Sequence, residues 1–553
     1  MQPMKKISAG TVALLGLVGL QLVFLLAPVG ALVHKSLQSP QGAWSLAPFL
    51  EFLASPGIAE AAFNTAWIAV CVVLLTVPAA FLYAYAILRT AIPLKGLWRV
   101  LGLAALLGPS LVGAVAFIQW FGNQGVFKPL MGNLSIYGPL GIILGTSFAA
   151  FPHALLIVLV ALASADGRLY EAARAMGASP WKVFTTITLP SARYGLVSAC
   201  MVVFAYSVSE FGVPKVIGGN FKVLAVEIYI QAVGLQNFAR GGMVALMLLL
   251  PVVAASLVEI FLRQANRTAL GARATPLQVL PSLGRDAFCF AYVLAVATVF
   301  LAMLGMTAYS AVIKFWPYNL ALTWNHFRYG LTDAGVGHAF ANSLQLALTT
   351  AVIGTPLAFV GAYLAEKTAA GSNVVGAVYR FLALLPMGVP GLALGLGAIL
   401  VFNQADHPLA GLYRTMGLLV ATTVVHFFAA SHVSATSALR SLDREFEAIS
   451  ASLKVPQWKT FWRVTLPVCL PAVLDIFRYL FVNAMTTVSA VVFLYAPDTL
   501  PATVAIINLD EAGELGPAAA MATLVMLANL GFSAVHAALG HLLLRRHQAW
   551  RTR

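Results

Sequence analysis

The residues that could do chemistry in this sequence are few, and none stands in a catalytic arrangement. Gly-x-x-x-x-Gly-Lys-Ser/Thr is absent, so there is no phosphate-cradling P-loop. His-Glu-x-x-His and Gly-x-Ser-x-Gly are absent too, which leaves no zinc-hydrolase helix and no nucleophile elbow. His426 and His432 stand six residues apart and do not face one another on a helix. They read as packed or pore-lining polar residues, with metal ligation the weaker alternative. Cys71, Cys200, Cys289 and Cys469 are far apart and form no Cys-x-x-Cys, so they read as small buried apolar residues. No metal and no cofactor are expected. The chain is not expected to be an enzyme.

What remains is the chemistry of contact. One stretch reads Glu171-Ala172-Ala173-Arg174-Ala175-Met176-Gly177, then Ala178-Ser179-Pro180-Trp181-Lys182, and ends Ile187-Thr188-Leu189-Pro190. Leu169 to Met176 are good helix formers. Gly177 suits the left-handed position that stops a helix. Ser179 and Pro180 read as N-cap and first residue of a second short helix, and Pro190 falls about where a long apolar helix begins. The spacing predicts two short helices at an angle: a rigid knob offering Glu171 and small alanines to a groove on a partner. The alternative is a solvated loop whose charges only keep it in water.

A second such stretch is degenerate. Glu445-Phe446-Glu447-Ala448-Ile449-Ser450-Ala451-Ser452-Leu453-Lys454 leads to Val464-Thr465-Leu466-Pro467. Counting back from Leu-Pro, Lys454 takes the glycine position and Ala448 the glutamate position, with Glu447 displaced by one. Pro456-Gln457-Trp458-Lys459 still resembles the second short helix. A left-handed turn without glycine costs about 1 kcal/mol, so two unequal contacts are expected.

Polar residues inside apolar runs form a third group. Tyr206, Ser209 and Glu210 lie near the end of one run, and Asn483, Thr486, Thr487 and Ser489 near the end of another, 277 residues on. Polar groups in lipid tend to face a bundle interior or a cavity, which makes these segments candidate walls of a translocation path. Equally, their hydroxyls could bond backbone carbonyls and hold helices together. Asp475 and Arg478 read as a pair at a membrane edge.

The elements that must position these residues follow from composition. The 553-residue chain is 60% hydrophobic and 9% charged, too poor in charge to cover a soluble surface. Twelve apolar runs near bilayer length are expected, at about 11–33, 63–88, 100–121, 139–163, 195–214, 241–262, 288–313, 340–365, 380–402, 415–438, 471–494 and 517–543. The first is too long for a secretory signal and reads as an uncleaved span. The net charge of +14 would suggest nucleic acid in a soluble chain. Here 24 of the 33 Lys and Arg fall in alternate loops and termini, 8 in the loops between them, and Arg478 inside a run. That bias places both termini in the cytoplasm and removes the nucleic-acid reading.

The chain repeats itself. Asn64-Thr65 recurs as Asn342-Ser343, Pro109 as Pro386, Asp166 as Asp443, Trp181 as Trp458, and Leu189-Pro190 as Leu466-Pro467, at offsets of 277 or 278. The expected architecture is an all-α polytopic membrane protein with about twelve transmembrane helices in two parallel six-helix repeats. Residues 1–262 form the first half, with a knob loop at 164–194. Residues 263–287, rich in Pro, Gly and Arg, form a cytoplasmic linker. Residues 288–553 form the second half, with its knob loop at 439–470. The loops Pro214 to Arg240 and Ala496 to Gly516 face the other side.

With these residues in view, the first knob resembles the EAA loop of binding-protein-dependent ABC importer permeases: Glu-Ala-Ala, three residues, Gly, nine residues, then Ile-x-Leu-Pro. The resemblance extends over the whole chain to fused two-half permeases of the ferric-iron, thiamine and phosphonate importers. It implies a type I importer permease in a bacterial inner membrane, with ABC-type ATPase subunits in two copies, a periplasmic substrate-binding protein and a small-molecule substrate as partners. By the same resemblance Glu171, Ala172, Ala173, Gly177, Pro180, Trp181, Leu189 and Pro190, with Glu447, Ala448, Lys454, Trp458, Leu466 and Pro467, are the ATPase-coupling residues. Residues 451–456 and 481–495 look like those of 2-aminoethylphosphonate permeases, which implies an aminophosphonate cargo; ferric iron, thiamine and polyamine are alternatives. An ion-coupled secondary carrier is the runner-up class. It would use buried carboxylates, for which Glu210 is the obvious candidate, and has no need of the knobs. A membrane-embedded enzyme is the third class, and the missing metal and nucleophile constellations argue against it.

Overall fold

The computed structural model describes residues 9–38, 43–269, 277–333, 335–368, 371, 374–442 and 445–547; linker residues 270–276 and Asp443 lie outside the described residues. In chain order the long apolar segments are α1 (Ala9–Ser36), α2 (Pro56–Arg89), α3 (Leu111–Phe121), α4 (Pro139–Ala163), α5 (Pro180–Ser209), α6 (Phe238–Ala269), α7 (Leu283–Val312), α8 (Ala339–Lys367), α9 (Gly391–Phe402), α10 (Met416–Arg440), α11 (Gln457–Thr486) and α12 (Leu515–His547). Among the described residues ten helices are long and apolar enough to cross a membrane, and α9 makes an eleventh only with Val374–Gly388, to which it is bent by 112°. The fold is all-α and polytopic. Among the described residues the strands are a short antiparallel hairpin, β1 (Ile313–Phe315) and β2 (Asn319–Leu322), pairing Ile313 with Leu322 and Phe315 with Asn319.

Two of the expected spans are therefore not straight helices. The third runs as Lys95–Gly102, a 3-10 turn at Ala104–Leu107 and then α3; the ninth breaks at Leu385–Gly388. Pro109 and Pro386 stand at these breaks, where a missing N–H and a fixed φ end the helical ladder. A break frees carbonyls that lipid cannot satisfy. The sixth helix of the opposite half meets each one. Asn529 Nδ2 of α12 donates to the Leu107 carbonyl at 2.9 Å, and Ser256 Oγ of α6 donates to the Met387 carbonyl at 2.9 Å.

The halves interlock at their first helices as well. α1 packs on α9 and α6, and Phe24 stacks on Phe402 at 5.5 Å. α7 packs on α3 and α12, Tyr292 donates to the Ala79 carbonyl at 2.9 Å, and Phe300 meets Phe148 at 4.7 Å. Leu14, Val18 and Leu32 accordingly share a core with the second half, while Cys289, Val293, Phe300 and Met303 share one with the first.

The repeated Asn-Thr/Ser pair has the same task in both halves. Asn64 Nδ2 donates to the Lys222 carbonyl and Thr65 Oγ1 accepts from the Leu224 N–H; Asn342 Nδ2 donates to the Leu500 carbonyl and Ser343 Oγ accepts from the Ala502 N–H. Each pair thereby caps a short helix, Leu224–Tyr229 or Ala502–Glu511, that dips back against the bundle.

The α1–α9 contact rests on the absence of a side chain. A Cβ on Gly397 would lie 2.4 Å from the Pro28 carbonyl oxygen. Gly397→Leu should overpack this crossing at about 1–3 kcal/mol, lowering the apparent melting temperature of the purified protein. Gly411→Leu, where nothing lies within 4 Å, should leave it unchanged.

Candidate functional site

Two features hold the candidate residues: the pair of knobs at one end of the bundle, and a cavity between the halves. The first knob helix is Gly167–Ala175. Asp166 caps its N-terminus by accepting from the Arg168 N–H at 3.1 Å. At its other end Gly177 has φ +71°, its N–H bonds the Arg174 carbonyl, and the Ala178 N–H reaches the Ala173 carbonyl at 3.0 Å. This is the paired closure that a left-handed glycine permits. Ser179 Oγ then accepts from the Lys182 N–H at 3.3 Å and starts α5. Glu171, Ala172, Met176, Pro180 and Trp181 are exposed, whereas Ala173 faces inward.

The second short helix is not a separate element. It is the first turn of α5, which runs unbroken from Pro180 to Ser209. Pro190 has no N–H to give, and a π turn at Phe184–Thr188 carries the helix past it, with the Leu189 N–H bonding the Phe184 carbonyl. The other half repeats this at Phe461–Thr465, ahead of Leu466 and Pro467.

The second knob, Glu445–Ser452, keeps the first one's turn without its glycine. Lys454 sits at φ +55° and the Val455 N–H reaches the Ser450 carbonyl at 2.8 Å. Its exposed face carries Ile449, Leu453 and Trp458, and Ala448 lies within the helix. Glu447 is not a free head. Its carboxylate pairs with Lys367 of α8 at 3.1 Å. The residue 277 positions earlier, Tyr170, is clamped under the Arg89 guanidinium of α2 at 4.9 Å. Each knob is thus tied to the second helix of its own half by a cation.

All seven expected path residues, Tyr206, Ser209, Glu210, Asn483, Thr486, Thr487 and Ser489, line one cavity of about 320 Å³ between the halves. Glu210 and Thr487 occupy equivalent positions where α5 and α11 stop: both leave the helix in extended backbone, ψ 124° and 137°. These spans are therefore shorter at this end than their apolar runs suggest. Glu210 is 9% exposed; its Oε1 accepts from Ser110 Oγ at 2.7 Å and from the Val213 N–H at 3.2 Å. Ser209 and Thr486 hydroxyls donate to the Ala205 and Val482 carbonyls of their own helices. The Ser209 and Thr486 hydroxyls thus bond backbone, as one sequence reading expects, while their residues line the cavity.

A second cavity of about 490 Å³ adjoins the first on the knob side and shares Tyr206, Ser209, His426 and Tyr479 with it. Glu259 lines it, accepting from Ser198 Oγ at 3.3 Å. Ser110, His153, Glu259 and Tyr479 escaped sequence reasoning. His153 and Glu259 could have been found as lone polar residues in apolar runs; Ser110 and Tyr479 carry no such signal. His426 lines both cavities, while His432 packs against Tyr379 and Thr436. Asp475 pairs with His536 at 3.7 Å rather than with Arg478. Among the described residues no group of His, Cys, Asp or Glu is arranged to hold a metal.

At the end away from the knobs, Lys215 bridges to Glu511 of the opposite half at 2.5 Å and covers the Tyr229 ring at 4.8 Å. Burial, and then the neighbouring Glu511, push the Asp510 carboxyl up to about 6 from 3.8, against the pull of Lys215.

Residues 77–269 and 354–544 each match the family described as binding-protein-dependent transport system inner membrane component. The ferric transport system permease protein FbpB of Actinobacillus pleuropneumoniae is 30% identical over 406 residues, 71% of this chain and 57% of its own length. A putative ferric transport system permease protein of Haemophilus influenzae is 29% identical over 371 residues, 66% of this chain and 58% of its own. The molybdenum transport system permease protein ModB of Escherichia coli is 32% identical over 145 residues, 25% of this chain and 63% of its own. The chain spans less than three-fifths of the length of the two ferric relatives.

Two predictions follow from the turns and charges above. Lys454→Gly should relieve the left-handed backbone and slow hydrogen exchange in the second knob, by about 1 kcal/mol of local stability. For Asp510 the folded-state pKa lies above the unfolded one. Its contribution to stability is therefore full below about pH 4 and lost as pH rises through about 6. Exchange in Ala502–Glu511, corrected for its intrinsic pH dependence, should speed up across that window, and Asp510→Asn should remove the effect.

Proposed function

Because the chain belongs to the family of binding-protein-dependent transport system inner membrane components, we propose that it forms both halves of the membrane conduit of an ATP-driven importer: 1–262 one half, 288–553 the other, 263–287 the joint between them. Both termini and both knobs face the cytoplasm, as the distribution of Lys and Arg supports. The central cavity is the translocation path, and a periplasmic binding protein delivers a small solute at the Lys215–Glu511 end. ATP is hydrolysed by separate ABC-type ATPase subunits, one seated on each knob.

The observation that carries this reading is the first knob. A helix capped at both ends, closed by a left-handed Gly177, holds Glu171, Met176 and Trp181 in solvent. Exposed apolar side chains on a rigid, clamped support are what a partner's groove requires. Clamping to α2 and α8 gives each knob a stiff link into its half. An ion-coupled carrier has no use for such knobs, and that class is the weaker one.

For the cargo, two readings each have a specific support. Residues 451–456 and 481–495 resemble 2-aminoethylphosphonate permeases; the relatives covering most of the chain are named for ferric transport. Uptake by cells expressing the intact system, assayed with each solute, separates the two.

The coupling role is tested at the knob. Glu171→Arg and Gly177→Val should each cut co-purification of the ATPase by about tenfold, equivalent to ~1.4 kcal/mol of docking, while the amount inserted in the membrane stays unchanged. Undiminished ATPase capture would count against the role.

A further inference from the structure

We propose that the central cavity binds a positively charged group of the cargo, with the Glu210 carboxylate as its counter-charge. The inference deepens the permease reading and rests on it.

The lining mixes apolar residues with hydroxyls, an amide, two imidazoles and a carboxylate. Among the described residues, Glu210 is the only carboxylate lining the cavity, and no Lys or Arg lines it or the cavity below. The Ser209 and Thr486 hydroxyl protons are already given to helix carbonyls, and the Asn483 Nδ2 donates to the Tyr479 carbonyl at 2.8 Å. The Ser209 and Thr486 hydroxyls therefore offer the cavity oxygen lone pairs, and Asn483 offers its amide oxygen and its second N–H. His153 and His426 add ring nitrogens that can accept when neutral, their ordinary form near pH 7. Tyr206 and Tyr479 add π faces that attract cations.

An oxyanion would need the opposite. Its usual hosts are Arg, Lys and free N–H groups at a helix start. The Val213 N–H, at the start of the turn after α5, is taken by Glu210 itself. A second carboxylate, Glu259, lines the next cavity toward the knobs. With no metal-holding cluster among the described residues, the site suits a group in passage. An ammonium and a hard metal ion share the required chemistry.

The competing reading is that Glu210 only caps the segment it precedes. Glu210→Gln separates the two, since the amide oxygen can still accept from Ser110 and Val213 while the charge is lost. The experiment uses the full chain with its ATPase in lipid nanodiscs. Titrants are 2-aminoethylphosphonate, gallium(III) citrate as a redox-inert ferric surrogate, and molybdate. We expect saturable binding of one of the first two, which identifies the source of the charge, with molybdate excluded. Glu210→Gln should weaken it about tenfold or more, and Glu210→Asp should restore part of it. Thr487→Arg, which sets a positive charge on the opposite wall and leaves the Glu210 hydrogen bonds intact, should weaken it as well, so the proposal stays testable if Glu210→Gln fails to fold. Unaltered binding in Glu210→Gln or Thr487→Arg, equal or tighter binding of molybdate, or no saturable binding at all would overturn the site. Loss of ATPase from the wild-type sample would instead sink the permease reading.

Discussion

Lipid offers a backbone no hydrogen bonds, and this architecture is organised around that constraint. The third helix of each half breaks at a proline, which opens room for a cavity but strands carbonyls inside the membrane. Asn529 and Ser256 satisfy them from the opposite half. The same break that makes space between the halves also fastens them together. The crossed first helices extend this fastening over the outside of the bundle. The two halves are thus held together at both the breaks and the first helices.

The two halves share a frame and differ in what they place on it. The knob turns superimpose in logic, one with glycine at φ +71° and one with lysine at φ +55°. Beneath them the clamps are an Arg–Tyr stack and a Lys–Glu pair. In the cavity lining, Glu210 has Thr487 at its equivalent position, and the Ser198–Glu259 contact is matched by Asp475–His536, each member 277 residues on. Duplication kept the positions at which helices touch, while the chemistry at those positions diverged. Among the described residues lining the cavity, the one carboxylate belongs to the first half.

Most of the fold was legible because it follows from hydropathy and repetition. Twelve apolar segments, a duplicated Asn-Thr/Ser pair and the repeated prolines all signal themselves locally. The broken third and ninth spans did not, because Gly108-Pro109 and Pro386 sit in runs apolar enough to read as straight helices. Continuity of the knob with α5 was hidden for a related reason: Pro190 looks like a helix start, and a π turn leaves no sequence trace. In the path, polar residues near Glu210 could be picked out as exceptions in apolar surroundings. Ser110 and Tyr479 could not, since their roles come from packing between distant segments.

The central claim is that force enters at two rigid knobs and moves the halves about a shared cavity. It is tested most directly by the distance between the knobs. Spin labels at Met176→Cys and Leu453→Cys, both exposed positions, in a chain lacking Cys71, Cys200, Cys289 and Cys469, report it by pulsed electron resonance in the ATPase complex. The account predicts that adding a non-hydrolysable ATP analogue shortens this distance. A distance that ATP leaves unchanged, in a complex that still transports, would contradict it.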